Sequence, residues 1–517
     1  MGRTWDPSGN AGHFDNKGNP FSVIWVLNKL NLNGMPSLKP FWLVLCLRIS
    51  ASALAQQSSL YTYQDLSHFY YARQKDSLKK AWDCPDVFKE KAAQKKYKEI
   101  WDGRTDRVMG YIADDAYVHD KEVGDYIEGV VNQLVAGNRQ LLPIPPLVML
   151  DRDPSVNAYA VGGNFLAVNL GLVAWCRTRE ELAFTLAHEL SHNILKHWET
   201  SAYETAKWLS SDEYKQSVNA VLDSKYERLT RLRKVMETYT FSRTRHQRYH
   251  ESDADSLAII LMRNSHFAFS PSFFQRLDSA DMEYRQPLQH PLKDYFTVYQ
   301  LPFDDSWTQK RSHGLSTRAY NFSESSNLED SLKTHPDCLV RYEKTKQWAT
   351  PNPTFTRVPR TIHDIADRML IWNMYNSTNV TACLYRILLI KDQGNTDPWY
   401  DFMVSNVFTA LLFADHKLSR FNAIGVMPKE YISKDYYGLQ TMLEQMPRES
   451  LTAWTQSLQG QGFWKTLPQP EKELKPLFYA IALDPEDSDK NRKQAAKTFF
   501  AENGNSMYCE FAHVFEK

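Results

Sequence analysis

Residues 188–192 read His-Glu-Leu-Ser-His, and they stand in the middle of an apolar, well-capped segment, ELAFTLAHELSHNILKHW (181–198). Ala183, Leu186, Ala187, Leu190 and Ile194 repeat at helical spacing there and form a wide apolar stripe. Thr178 and Glu181 spell a capping box at its start. Two histidines and a glutamate inside such a helix lose hydration and need compensation. His188 and His192 are one turn apart and project from the same face. Two neutral imidazoles so placed can fill two corners of a zinc tetrahedron, with Glu189 beside the ion to take a proton from its bound water. The fold must then deliver a third ligand from elsewhere in the chain.

A metzincin arrangement needs Gly at 195 and His at 198, whereas the chain has Leu195 and Trp198, which excludes that branch. His197 lies five residues past His192, about 140° round a continuous helix, and is expected to point away from the metal face. A better candidate is Glu251 in ESDAD (251–255), one turn from Asp255 on a second predicted helix that can pack beside the first. One carboxylate can ligate while the other holds a ligand imidazole by its second nitrogen. Acidic residues on helices are common, so spacing alone leaves open the plain alternative of two core histidines satisfied by hydrogen bonds.

The remaining sequence reads as scaffold. Twenty glycines in 517 residues favour helix, and 43% hydrophobic content supplies a large core. Equal numbers of basic and acidic side chains, 61 each, argue against a chain whose main task is to coat nucleic acid or anionic membrane. Absence of any CxxC pair excludes a cysteine zinc ribbon. Residues 60–140 read as charge-rich helices. After the LPIPP turn (142–146) come three short strand candidates, Leu147–Asp151, Ala158–Val161 and Phe165–Asn169, with Gly162-Gly163 as a hairpin turn. A polar, Ser-rich stretch at 304–330 is expected to be a long surface loop. From about 355 amphipathic helices follow one another: Ile362, Ile365, Ala366, Met369 and Trp372 share a face, and Leu384, Ile387 and Leu388 begin another. Their many aromatics suit either a binding groove or packing between helices. No clean 34-residue repeat is visible.

Residues 1–34 are polar and carry Asp6 and Asp15, unlike a targeting peptide, and read as a non-native or mis-called leader. From Met35, Lys39, the apolar run Phe41–Leu47 and Ala53-Leu54-Ala55 make a secretory signal over 35–55, interrupted by Arg48, with Gln56 as the first mature residue. No other run approaches the roughly 18 apolar residues of a membrane span. The mature chain is therefore expected to have no transmembrane span after signal cleavage and to lie in the periplasm or against the envelope.

VNAYAVGGNFLAVNLGLV (156–173), ELAFTLAHELSHNILKH (181–197) and ESDADSLA (251–258) together resemble the HtpX/BepA-like zinc metallopeptidases, relatives of the CAAX prenyl endopeptidase (peptidase family M-forty-eight). The resemblance spans roughly residues 85–345 and says little about 355–517. It implies an α+β chain, mainly α with a small β-sheet: a zincin-like HExxH metallopeptidase domain (141–345) preceded by amino-terminal helices packing on it (56–140); the residues that follow (355–517) read as an α-helical region of unclear repeat, TPR-like or not. It implies one zinc ion per chain, with His188, His192 and Glu251 as ligands, Glu189 as general base and Asp255 as the group orienting a ligand. Thr334-His335-Pro336 with Arg341 matches a further element of soluble members. His335 would either occupy the fourth metal position and silence the site, or donate to the oxyanion, or simply pack near Arg341. Asn157, Ala158 and Tyr159 would offer an edge strand to an extended substrate. The expected activity is zinc-dependent endoproteolysis of unfolded or misassembled envelope proteins, with the helical region open to a protein partner and no role for nucleic acid. The competing reading is a latent, zinc-stabilised chaperone acting through its helical carboxyl-terminal half. The spans of the HtpX and CAAX branches are missing, which points to the soluble periplasmic branch.

Overall fold

The computed structural model describes residues 75–113, 116–224, 227–228, 230–231, 250–309, 338–482, 489–504 and 506. The expected leader and signal, the first part of the expected amino-terminal helices, and His335 lie outside the described residues. The described residues are mainly α-helical around one small mixed sheet, as the sequence pattern implied.

Four strands, β1 (Tyr117–Val118), β2 (Leu147–Asp151), β3 (Ala158–Ala160) and β4 (Phe165–Asn169), lie in the order β1-β2-β4-β3. β2 and β4 run parallel with Leu147 opposite Phe165, while β1 and β3 pair antiparallel on the two flanks. β2 and β4 have the limits expected from sequence, β3 stops one residue early, and β1 was not foreseen. Gly162 (φ 76°), Gly163 (φ 66°) and Asn164 (φ 58°) turn the β3–β4 hairpin through three successive left-handed residues, which the glycine pair makes inexpensive.

Strand alternation gives the sheet two covered faces. Met149, Phe165 and Ala167 meet Val108, Met109 and Ile112 of α2 (Lys91–Ala113), and Trp82 just beyond α1 (Lys75–Ala81). Leu150, Leu166 and Val168 face the opposite way, onto α3 (Lys121–Gly137) and α5 (Arg179–Ile194), which follows α4 (Leu170–Trp175). This double burial explains why every residue of β4 is buried.

The expected single helix over 181–198 is not what forms. α5 ends at Ile194; Lys196 is left-handed (φ 54°), and α6 (His197–Ser210) starts afresh. α7 (Asp212–Leu222) follows, and the helix over 250–264, α8, joins the core beneath α5 through Ala258, Ile259, Leu261 and Met262. α9 (Ser272–Asp278), α10 (Leu292–Thr297) and α11 (Cys338–Thr345) come next.

α12 (Arg360–Asn376) spans two cores. Its Ile362, Ala366 and Leu370 pack with the sheet-side core, whereas Ile371, Trp372, Met374 and Tyr375 enter a second, wholly helical core. Tyr385, Tyr400, Phe402, Tyr436 and Trp454 are fully buried in that second core, so these aromatics pack between helices. Among the described residues no helix is long and apolar enough to cross a membrane, and Cys84, Cys176 and Cys383 are free thiols.

Candidate metal centre

α5 is held at both its ends. Thr178 Oγ1 accepts from the Glu181 amide at 3.2 Å, and Glu181 Oε2 accepts from the amides of Arg177 (2.7 Å) and Thr178 (3.2 Å), completing the capping box. Such a cap is worth about 1 kcal/mol. Glu180 Oε2 takes the Thr356 amide at 2.8 Å, which ties the segment before α12 to the same helix start. The αL residue Lys196 closes the other end.

On this fixed helix His188 Nε2 and His192 Nε2 converge to 3.1 Å. α8 brings Glu251 against both: its Oε2 lies 3.3 Å from His188 Nε2 and its Oε1 3.6 Å from His192 Nε2. One ligand atom from each of the three lies within 4.8 Å of the others. One turn further along α8, Asp255 Oδ1 sits 3.0 Å from His188 Nδ1. α11 supplies Arg341, whose Nε and Nη2 donate to the two oxygens of Asp255 at 2.8 and 2.5 Å while its guanidinium lies over the Phe274 ring. The same Nη2 is 3.5 Å from His188 Nδ1. His188, Asp255 and Arg341 are all buried.

Glu189 projects from the same turn toward β3, where its Oε2 accepts from the Ala160 amide at 3.0 Å. β3 is one of the two edge strands and, among the described residues, pairs with β4 alone. Of its expected substrate-facing residues, Asn157 gives its carbonyl to the Asn169 amide, and Tyr159 donates its hydroxyl to Asp151. Ala160, which no motif reading singled out, is the residue that meets Glu189.

His197 corrects the sequence expectation. With the helix broken at Lys196 it is not carried 140° away; its Nδ1 lies 2.9 Å from His192 Nδ1, and its ring stacks on His250 at 4.2 Å and 8°. It still offers no atom to the three-ligand cluster. A helix that continues through 198 hides this contact, and no glycine announces the stop.

The electrostatics suit a cation. Burial alone would lower the His188 pKa, yet its hydrogen bonds to Asp255 and Glu251 prevail and raise it to about 10. Burial works against ionising Glu251, but His188 holds its carboxyl well below the usual range. For Asp255 too, burial opposes ionisation and Arg341 overcomes it. Burial, then the charge on His188, lowers His192 to about 3, and burial with the neighbouring His250 lowers His197 to about 4; both stay neutral near pH 7. Burial raises Glu189 to about 7, against the pull of His188. Two nitrogens and a carboxylate thus converge on one point, in surroundings rich enough in negative charge to draw a proton onto His188. That donor set fits a divalent metal ion of zinc's type.

Residues 120–349 match the model of Peptidase family M48. That stretch, under half of the chain, holds the histidine pair, Glu251 and Arg341. A protein of Vibrio cholerae serotype O1 named "Putative beta-barrel assembly-enhancing protease" is 26% identical over 188 residues, a stretch that takes in 34% of this chain and 38% of that protein. The match therefore spans less than two fifths of the relative's length. The family match and the cluster together support metal-dependent hydrolase chemistry for this region in general terms.

Proposed function

We propose that the chain is a zinc-dependent endopeptidase that cleaves unfolded or misassembled proteins of the cell envelope, reached by export through the signal at 35–55. The observation that carries this reading is the position of Glu189, adjacent to the three converging ligands and hydrogen-bonded to the edge strand. Zinc held by His188, His192 and Glu251 would supply a Lewis acid that polarises a peptide carbonyl and acidifies water.

The chain's own groups do the rest. Asp255 fixes the ring of His188. Ala160 holds one oxygen of Glu189, leaving the other to accept a proton from water and return it to the departing amine. A carboxyl titrating near 7 is matched to that two-way transfer. The outer edge of β3, through the backbone of Ala158 with Asn157 and Tyr159 beside it, would bind an extended segment by backbone hydrogen bonds, which selects chains not already folded. The name of the Vibrio relative speaks of β-barrel assembly; carried over as a proposal, it suggests unpaired strands of envelope proteins as substrates.

Glu189→Gln tests the reading. The variant should bind zinc stoichiometrically and melt like the wild type, while hydrolysis of an unfolded protein such as reduced casein falls about a thousandfold or more. Undiminished, chelator-sensitive turnover would refute the assignment. A wild type that never cleaves yet suppresses client aggregation would instead favour the latent chaperone.

A further inference from the structure

The two ligand histidines are held differently. A metal ligand binding through Nε2 must carry its hydrogen on Nδ1, and the acceptor of that hydrogen decides both tautomer and ring angle. His188 has the Asp255 carboxylate for this purpose, at 3.0 Å. Among the described residues no carboxylate stands on the Nδ1 of His192; the group there is the Nδ1 of His197, at 2.9 Å.

We propose that His197 is the positioning residue of the metal centre that holds His192 in its metal-binding tautomer, accepting the Nδ1 hydrogen of His192 at its own Nδ1. This rests on the zinc-enzyme reading given above. For the acceptor role His197 must carry its hydrogen on Nε2, and its ring is buried. Two features place it. The left-handed Lys196 stands between α5 and α6, a conformation that is unfavourable for a side-chain-bearing residue and that returns residue 197 to the metal side. The ring then stacks face to face on His250, the residue before Glu251. His197 thereby bridges the second ligand, on α5, and the start of α8, which carries the third. Unlike Asp255, it does so without adding negative charge.

The test uses the full-length chain and zinc affinity, measured by competition with a chromophoric chelator, in three variants. His197→Asn retains an acceptor oxygen near the position of Nδ1. His197→Phe retains a ring to stack on His250 but accepts nothing. His197→Ala retains neither. Zinc affinity is expected to fall about 10- to 100-fold for the Phe and Ala variants and to stay within about threefold of wild type for Asn, with one zinc per chain at saturation throughout. Equal loss in the Asn and Phe variants would overturn the proposal, since packing rather than the hydrogen bond would then be responsible. Wild-type affinity in the Phe variant would also overturn it. Should the Ala variant fail to fold, the comparison of Asn with Phe still decides. Failure of the wild-type chain to bind zinc at all would sink the enzyme reading itself; tight wild-type binding with no dependence on residue 197 would sink only this inference.

Discussion

Around the candidate centre, Glu251 and Asp255 face one permanent cation, Arg341, and the metal-free protein balances the deficit by placing a proton on His188. That proton sits where the metal must bind. Since the His188 pKa is raised to about 10, the metal-free ring is protonated throughout pH 6–9, and zinc binding must expel one proton. The sign follows directly: lowering the pH favours the protonated, metal-free form, so apparent zinc affinity should rise with pH by about tenfold per unit over this range. Competition titrations at pH 6, 7 and 8, and calorimetry in buffers of different ionisation enthalpy, would count the proton. A flat profile would mean that the metal-free His188 is already neutral and that its ionised pairing with Glu251 does not exist. The same pair shows why Arg341 is needed. It keeps Asp255 ionised inside the protein, where an unpaired carboxylate would cost several kcal/mol.

At the scale of elements, the centre depends on where α8 lies, and α8 is fixed at its far end by α3. Asn138 Nδ2 donates to the Leu261 carbonyl and Ser265 Oγ, and Gly137 lets the two backbones approach. A Cβ on Gly137 would stand 2.6 Å from the Asn264 carbonyl oxygen and 2.8 Å from Ser265 Cα, neither of which can swing aside. Gly129, exposed on the same helix, would place its Cβ in open space. The same substitution should therefore have opposite signs on one helix. Gly137→Ala is expected to destabilise by about 1–3 kcal/mol through overpacking, and Gly129→Ala to stabilise by roughly 0.5–1 kcal/mol through helix propensity. Thermal melts of the two variants check this, and a shift of the same sign in both would show that the α3–α8 contact is looser than described. Elements of this kind were legible in the sequence to the extent that local chemistry writes them. Thr178 with Glu181 announced the start of α5, and the Gly162-Gly163 turn with flanking apolar residues announced β3 and β4. His188 and His192 were legible because metal chemistry restricts residue type and spacing together, whereas Glu251 was a candidate that spacing left undecided and the resemblance singled out. The end of α5 was not, because Lys196 adopts a left-handed conformation that sequence reserves for glycine or asparagine, and tertiary packing of α6 on α2 through Tyr97, Trp101, Ala202 and Ala206 overrides that preference. His197 was misplaced for that single reason. β1 was missed because two residues carry no periodicity.

The whole molecule joins its two cores more deeply than a linear division of the sequence suggests. The stretch from Leu288 to Trp307 lies, in chain order, between α8, which carries Glu251, and α11, which carries Arg341. Its apolar side chains Leu288, Leu292, Tyr295, Phe296, Tyr299, Leu301 and Trp307 nevertheless belong to the helical core built mainly from residues 371–499. Polar contacts bind it there too: Tyr299 donates to Asp401 at 2.6 Å, Trp454 Nε1 to the Pro302 carbonyl at 2.9 Å, and Gln461 to the Tyr299 carbonyl at 2.8 Å. A chain cut after residue 355 would keep the matched peptidase region but strip the cover from all seven apolar side chains. At about 1.5–3 kcal/mol for each large buried side chain, the loss is on the order of 10–20 kcal/mol, as large as the whole stability of a typical domain. Residues 75–355 alone should therefore fail to give a compact, cooperatively melting, zinc-binding protein, even though both ligand helices and Arg341 are present. Size-exclusion chromatography, thermal melting and zinc titration of that fragment beside the full chain would decide it. A monodisperse fragment that binds zinc as tightly as the full chain would mean that the Leu288–Trp307 stretch is dispensable to the centre; aggregation or a molten profile would mean that the helical core is part of what holds Glu251 and Arg341 in register.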